Sequence, residues 1–142
     1  MIREVIASEF ATIQDLNAYH MAKARGLSDR QAFAIGDNGI GCWGDLTAQA
    51  HTAMAAIPPE HMAEEWGSVS AAKHQRILVL RGNISVECII ADRMPHLANI
   101  TNGAGIDLNP AASNALDLPK GGMVKVTWGK IENGVALESH KV

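Results

Sequence analysis

The sequence predicts a mainly β fold, a closed or nearly closed barrel, and three observations carry that expectation. Short β-rich runs recur from residue 31 onward, Gly and Asn punctuate them at hairpin spacing, and the helical stretches between them are brief. No internal repeat or low-complexity linker divides the chain.

Taken in order, Ser8 is placed to cap a helix reaching about Arg25, with Phe10, Ile13, Leu16 and His20 at helical spacing and Gly26 as its stop. The alternation from Gln31 to Ile35 predicts a strand, and residues 37 to 45 form a glycine-rich loop. Pro58 and Pro59 can open a short helix through Trp66, because proline is tolerated in a first turn. Gln75 to Arg81 and Ile84 to Ala91 are two strands around Gly82-Asn83, a hairpin signal. Gly121-Gly122 leads into a strand from Met123 to Trp128, and Asn133-Gly134 signals a second hairpin whose return is Val135 to Val142. The expected organisation is an N-terminal helical extension over 1–29, a barrel over 30–132, and a C-terminal edge strand over 133–142.

Composition narrows the functional classes. The 142 residues carry 12 basic and 15 acidic side chains, a net charge of −3. Phosphate neutralisation needs clustered Lys and Arg, and here they are dispersed, so nucleic acid is not an expected partner. Cys42 and Cys88 have no C-x-x-C spacing, and the six histidines form no zinc motif, so neither a metal nor another cofactor is expected. The two cysteines read either as a disulfide or as two buried thiols. No run is long enough to span a bilayer, and the first residues lack the apolar core of a secretory signal. That leaves a mature fragment of a cell-envelope protein, export by another route such as assembly into a virion, or the cytoplasm.

The segment Gly105-Ile106-Asp107-Leu108-Asn109-Pro110-Ala111-Ala112 places a carboxylate where a strand ends and a helix begins. Asn109 is a good N-cap and Pro110 fits the first helical position. Asp107 has two readings with opposite signatures. As an acid catalyst it must be partly neutral at working pH, and raising an aspartate from about 3.9 to about 6 costs its ionised form roughly 3 kcal/mol. As an aid to the helix N-terminus its pKa would fall.

Four segments carry a resemblance. Asp37-Asn38-Gly39-Ile40-Gly41-Cys42-Trp43-Gly44 looks like the expansin loop Asp-Asn-Gly-Gly-Ala-Cys-Gly, and Ala55-Ala56-Ile57-Pro58-Pro59 resembles the small-residue and proline segment of barwin-like chains. Ala91-Asp92-Arg93-Met94-Pro95-His96 resembles Asn-Asp-Arg-Gly-Pro-Phe, and the Asp107 segment resembles Ile-Asp-Leu-Ser-x-x-Ala-Ala. Together with the closing strand at Met123, these resemble the double-psi β-barrel superfamily of rare lipoprotein A-type lytic transglycosylases, expansins and barwin-like proteins. The cover runs from about Gln31 to Ile131. The resemblance implies a six-stranded double-psi barrel with short helices, flanked by the N-terminal helix and the C-terminal hairpin.

It also implies that Asp107 is the catalytic acid, with Asp37 and Asp92 as further catalytic carboxylates. Asp45, Trp43 and Arg93 are the implied substrate-binding residues. Each has a plainer alternative: Asp37 and Asp45 as turn formers, Asp92 and Arg93 as a structural turn or ion pair. Trp43 is the best candidate to stack on a sugar among six aromatics, whereas Trp66 and Trp128 read as core. The chain departs from the pattern at Gly105, where expansins carry histidine, and near Met54, where transglycosylase-type members carry another.

The functional expectation is a domain that cleaves or binds a glycan strand, peptidoglycan foremost. The alternative is a non-catalytic docking or structural module of a phage tail, virion or injection assembly, using the N-terminal helix or the C-terminal edge to meet protein partners.

Overall fold

The computed structural model describes residues 1–132 and 135–136. Seven strands form one sheet: β1 (Arg3–Glu9), β2 (Met54–Ile57), β3 (Arg76–Arg81), β4 (Ile84–Arg93), β5 (Ala104–Leu108), β6 (Val124–Glu132) and β7 (Val135–Ala136). Their order is β1-β5-β2-β4-β3-β6-β7, and β1 also pairs with β6, so six strands close into a barrel. Two parallel pairs, β1 with β5 and β2 with β4, are joined by crossovers, while the remaining pairs are antiparallel. This is a mainly β, closed six-stranded barrel with short helices, as the sequence predicts.

Alternation fills the barrel. In β5, Ala104, Ile106 and Leu108 are buried while Gly105 and Asp107 face the other way. Ile57, Ile77, Val79, Ile90, Val126 and Trp128 complete the interior, with Met62 and Leu116 sealing it from the helices. Trp66 stacks on Trp128 at 6.4 Å and an interplanar angle of 9°. Gly105 is needed where β1 and β5 meet, because a Cβ there would lie 2.7 Å from the Val5 side chain. That contact explains why no larger residue precedes Ile106.

The hairpin at Gly82-Asn83, the helix opened by the prolines (α3, Pro59–Trp66) and the helix after Asp107 (α5, Pro110–Ala115) all form where the sequence places them. The N-terminal segment does not. Residues Arg3–Glu9 form a barrel strand, so the barrel starts about 27 residues earlier than the expected boundary at 30. Seven residues contain too little periodicity to reveal this, because β1 is specified by partners far along the chain: Ser8 pairs with Asp107 and Val5 with Val126. The helix α1 begins later, at Ile13, and ends at Ala24. Its cap is Thr12 rather than Ser8: Thr12 Oγ1 accepts from Asp15 N at 3.1 Å, and the Asp15 carboxylate accepts from Thr12 N at 3.4 Å.

The alternation at Gln31 to Ile35 is also overruled. Ser28 and Gln31 form a second reciprocal capping pair, which starts helix α2 at Asp29 and carries it to Phe33. Tyr19, Ala22 and Ala32 bury the contact between α1 and α2. A last short helix, α4, spans Val69–Ala72. Both cysteines are free thiols, and Cys42 is exposed rather than buried. The turn expected at Asn133-Gly134 and most of the edge strand to Val142 lie outside the described residues, although Val135 and Ala136 pair antiparallel with Glu132 and Ile131. Among the described residues, no helix is long and apolar enough to cross a membrane.

An ion cluster fastens β1 to α3. Arg3 Nη2 donates to Glu65 Oε2 at 2.9 Å and to Glu64 Oε2 at 2.6 Å, and its guanidinium lies 5.7 Å from the centre of the Trp128 ring. The Glu65 side chain is 4% exposed and Arg3 11%, so this pair is well screened from water. Lys130 Nζ donates to the Glu65 carbonyl at 2.7 Å.

Candidate functional site: a carboxylate row above the barrel

Two register shifts, between Ile6 and Ala7 in β1 and between Ala55 and Ala56 in β2, bring four residues into one row. Ser8 on β1 is opposite Asp107 on β5, Asp107 is opposite Ala56 on β2, and Ala56 is opposite Asp92 on β4. Directly paired residues share a face, so the row points away from the barrel interior. Ala56 leaves an open space between the two carboxylates, whose strands are about 10 Å apart, two strand spacings.

A cleft of about 450 Å³ opens over the row, lined by Asp37, Asp92, Arg93, His96 and Asp107 and walled by Phe10, Phe33, Met94 and Pro95. A smaller recess of about 190 Å³ shares Asp107, Met94 and Pro95 and reaches Asn99, Thr101 and Asn102. Asp107 thus lies where two depressions meet. Beneath it Phe10, Ala11, Ala56, Met94 and Ala104 form an apolar cluster of their own.

Burial and neighbouring charges set the chemistry of Asp107. Its carboxyl is raised to about 6, chiefly by burial; the Ser8 hydroxyl, donating to Asp107 Oδ1, opposes the rise, and the nearby charges of Asp92, Asp15 and Asp37 add to it. The upward shift is opposite in sign to the fall expected of a helix-capping carboxylate. Capping falls to Asn109, whose Oδ1 accepts from Ala112 N at 3.1 Å and Met54 N at 2.9 Å. Its amide donates to the carbonyls of Thr47 at 2.9 Å and Thr52 at 3.0 Å, so this buried side chain is fully used.

Removing the Ser8 hydroxyl has a defined sign. Ser8→Ala is expected to raise the Asp107 midpoint by about one pH unit, the worth of one hydrogen bond to a charged group. Carboxyl-carbon NMR titration reads it; a fall would show that Ser8 acts otherwise.

Asp92, at the end of β4 rather than in a turn, accepts from Arg93 N at 2.8 Å and Cys42 N at 3.0 Å through Oδ1. Burial raises its pKa and those two N–H groups oppose the rise. Asp37 accepts from Gly39 N at 2.7 Å, the turn-forming contact open to it in the sequence, and its own N–H bonds the Asp15 carbonyl at 3.1 Å. Burial raises Asp37 as well. Although Cys42 as a residue is exposed, partial desolvation and the neighbouring Asp92 raise its thiol to about 11, so it is a poor nucleophile at neutral pH.

The cleft therefore brings together Asp107, Asp92, Asp37 and Arg93. Trp43 and Asp45 do not line the cleft. Asp45 pairs with His74, its two oxygens 2.9 and 2.8 Å from Nε2, and Trp43 packs edge-on to His74 and against the barrel core. The aromatic wall comes instead from Phe10 and from Phe33, which is 48% exposed. Sequence reasoning misses Phe10, Phe33, Met94 and His96 as cleft residues and Ser8 as the partner of Asp107, because Phe33 comes from α2, Met94 and His96 follow β4, and Ser8 arrives through the β1–β5 pairing. Among the described residues, no cluster of three or more His, Cys, Asp or Glu side chains is placed to hold a metal ion.

The closed barrel with two parallel crossover pairs, and a cleft outside the joined strands, defines the double-psi class of fold. Among solved structures, Streptomyces papain inhibitor is similar: 16% identical, with 93% of this chain and 96% of that chain covered and a TM-score of 0.53. At that identity the likeness speaks to the fold alone. No protein-family model matches the sequence, and no curated protein matches it.

Proposed function

We propose that this domain binds a glycan strand along the Asp107 cleft and cleaves it by general acid–base chemistry, with peptidoglycan as the substrate. The observation that carries the reading is a single one: an aspartate held near half-protonation at about pH 6, facing an open cleft. An acid of that strength can supply a proton near neutrality and take one back. The two depressions that share Asp107 suit a chain that passes the reactive group rather than ending at it.

In the proposed reaction Asp107, protonated, gives its proton to the bridging oxygen as the glycosidic bond breaks and positive charge develops at the sugar carbon. The resulting carboxylate then accepts the proton of the muramyl hydroxyl as that oxygen attacks the same carbon, closing an internal anhydro ring. Asp107 ends protonated and no water is consumed. Asp92 and Asp37 hold the local field negative, which favours the protonated form of Asp107 beforehand and the cationic sugar afterwards. Arg93 lies at the rim, within reach of the acidic peptide stems of such a strand, and Phe33 offers an apolar face for a sugar ring.

Purified sacculi incubated with the protein are expected to release anhydro-muropeptides, measured by mass spectrometry, with little release by Asp107→Asn. Undiminished release by that variant would remove Asp107 from the chemistry. No release and no sedimentation with sacculi would remove the glycan.

A second reading is favoured by the likeness to a papain inhibitor and by exposed apolar side chains on the two N-terminal helices, Ile13, Met21 and Phe33. In it the barrel binds a protein and performs no chemistry, as a docking module of a tail, virion or injection assembly would. Light scattering across concentrations, with a papain inhibition assay, separates it from the first. A monomer that degrades sacculi and leaves papain active excludes it.

A further inference from the structure

Asp45 and His74 lie outside the cleft, yet they belong to a closed circuit of contacts that ends on a cleft carboxylate. His74 N donates to the Ile90 carbonyl at 2.9 Å, fixing His74 to β4 two residues before Asp92. Its ring Nε2 meets both oxygens of Asp45. Asp45 in turn closes the glycine loop, its carbonyl accepting from Gly41 N at 2.8 Å, and the next residue, Cys42, donates its N–H to Asp92 Oδ1.

Gly41 presses this loop onto the same strand, since a Cβ there would lie 2.1 Å from the Ala91 carbonyl oxygen. The loop is therefore seated on Ala91 and Asp92 of β4, and His74 is fixed to the preceding residue, Ile90. His74 adopts φ of 60°, a left-handed conformation uncommon for a residue with a side chain, which turns the chain between α4 and β3.

We propose that the Asp45–His74 pair is a latch that holds the Cys42 N–H on Asp92, making both of them positioning residues for the Asp107 cleft. The inference rests on the Asp107 reading for its functional meaning, though not for its geometry. The pair is half-exposed, and exposed pairs of this kind add little to global stability, so its effect is local to the loop it closes. Releasing the latch frees the loop from β4, withdraws a hydrogen bond from Asp92, and admits water to the side of the cleft that Asp37 and Asp92 share. The groups facing Asp107 are Ser8 from β1, Asp92 and Arg93 from β4, Asp37 from the loop, Asp15 from α1 and His96 beyond β4. Of these, the latch reaches Asp92 directly and Asp37 through the loop they share.

The test uses the full chain with Asp45→Asn and, separately, His74→Asn. Asn keeps the left-handed conformation accessible at position 74. Amide hydrogen exchange at Cys42 is expected to quicken about tenfold in both, while the slowest barrel amides keep their wild-type rates. The Asp107 midpoint, read by carboxyl-carbon NMR, is expected to fall by about half a unit as water enters and relieves its desolvation. Unchanged Cys42 exchange with an unmoved Asp107 midpoint in both variants overturns the proposal, as does quickening spread evenly over the barrel. None of these readouts needs a glycan, so a wild-type protein inert on sacculi would defeat the proposed function and leave the latch to be judged by the NMR result.

Discussion

Asp107→Asn is expected to be more stable than the wild type at neutral pH, by about 2–3 kcal/mol, and, under the proposed function, to release little from sacculi. The sign follows from where the carboxyl titrates. Its folded pKa of about 6 lies above the unfolded value of about 3.9, so the folded state holds this proton to higher pH than the unfolded chain does. Stability from Asp107 is fully present below pH 4 and is lost as pH rises to about 6, because above that point folding must bury a charge. The amide carries no charge at any pH and can still accept the Ser8 hydroxyl. Urea midpoints from pH 4 to pH 8 should therefore coincide at the acid end, diverge between 4 and 6, and run parallel above. Curves parallel throughout would show that Asp107 is ordinarily solvated, and the acid role would fall with its burial. Under the proposed acid role such a gain is the expected trade, since a charge held in an apolar setting costs the fold stability.

Glu65→Ala is expected to destabilise the protein by about 3–5 kcal/mol, the cost of leaving one member of a buried pair behind. Arg3 would keep its guanidinium beside Trp128 with only the more exposed Glu64 to accept from it, and its buried Nε already lacks an acceptor. The consequence extends beyond local packing. Arg3 opens β1, and β1 closes the barrel by pairing with both β5 and β6. Thermal unfolding measures the loss; Glu65→Gln, which keeps the shape and one acceptor, should recover part of it. An alanine variant as stable as the wild type would mean that the barrel closes without this anchor. Because β1 also carries Ser8, a loosened first strand should lower protection of the Ser8 amide before that of β3.

How far the site was legible in the sequence depends on how local each feature is. The strand-to-helix junction at Asp107 forms as expected because every part of it is short range: an alternating strand, an N-cap that accepts from a residue three positions on, and a proline in the first turn. The hairpin at Gly82-Asn83 is local in the same way. The resemblance to known motifs adds Asp92 and Arg93 to the neighbourhood of Asp107, and both line its cleft.

Non-local features were hidden. Ser8 reads as a helix cap because a small hydroxyl residue before an apolar run is a good cap, and nothing within ten residues of it announces a partner 99 positions away. Thr12 wins the cap because the chain from Arg3 to Glu9 is already committed to two strands of the barrel. Gln31 to Ile35 alternates by chance, and the Ser28–Gln31 capping pair outweighs five residues of pattern. Trp43 and Asp45 look like site residues beside a glycine loop, and the loop turns them toward His74 instead.

The sequence alone determined the fold class, the register of side chains along β5, and the carboxylate worth examining, because periodicity, caps and turns act over a few residues. Only the tertiary structure decided that Ser8, Ala56 and Asp92 stand in line with Asp107, that burial raises its pKa, and that two depressions meet at it. Those properties arise from pairings between strands distant in the chain, and desolvation is a property of the packed surroundings that no single segment carries.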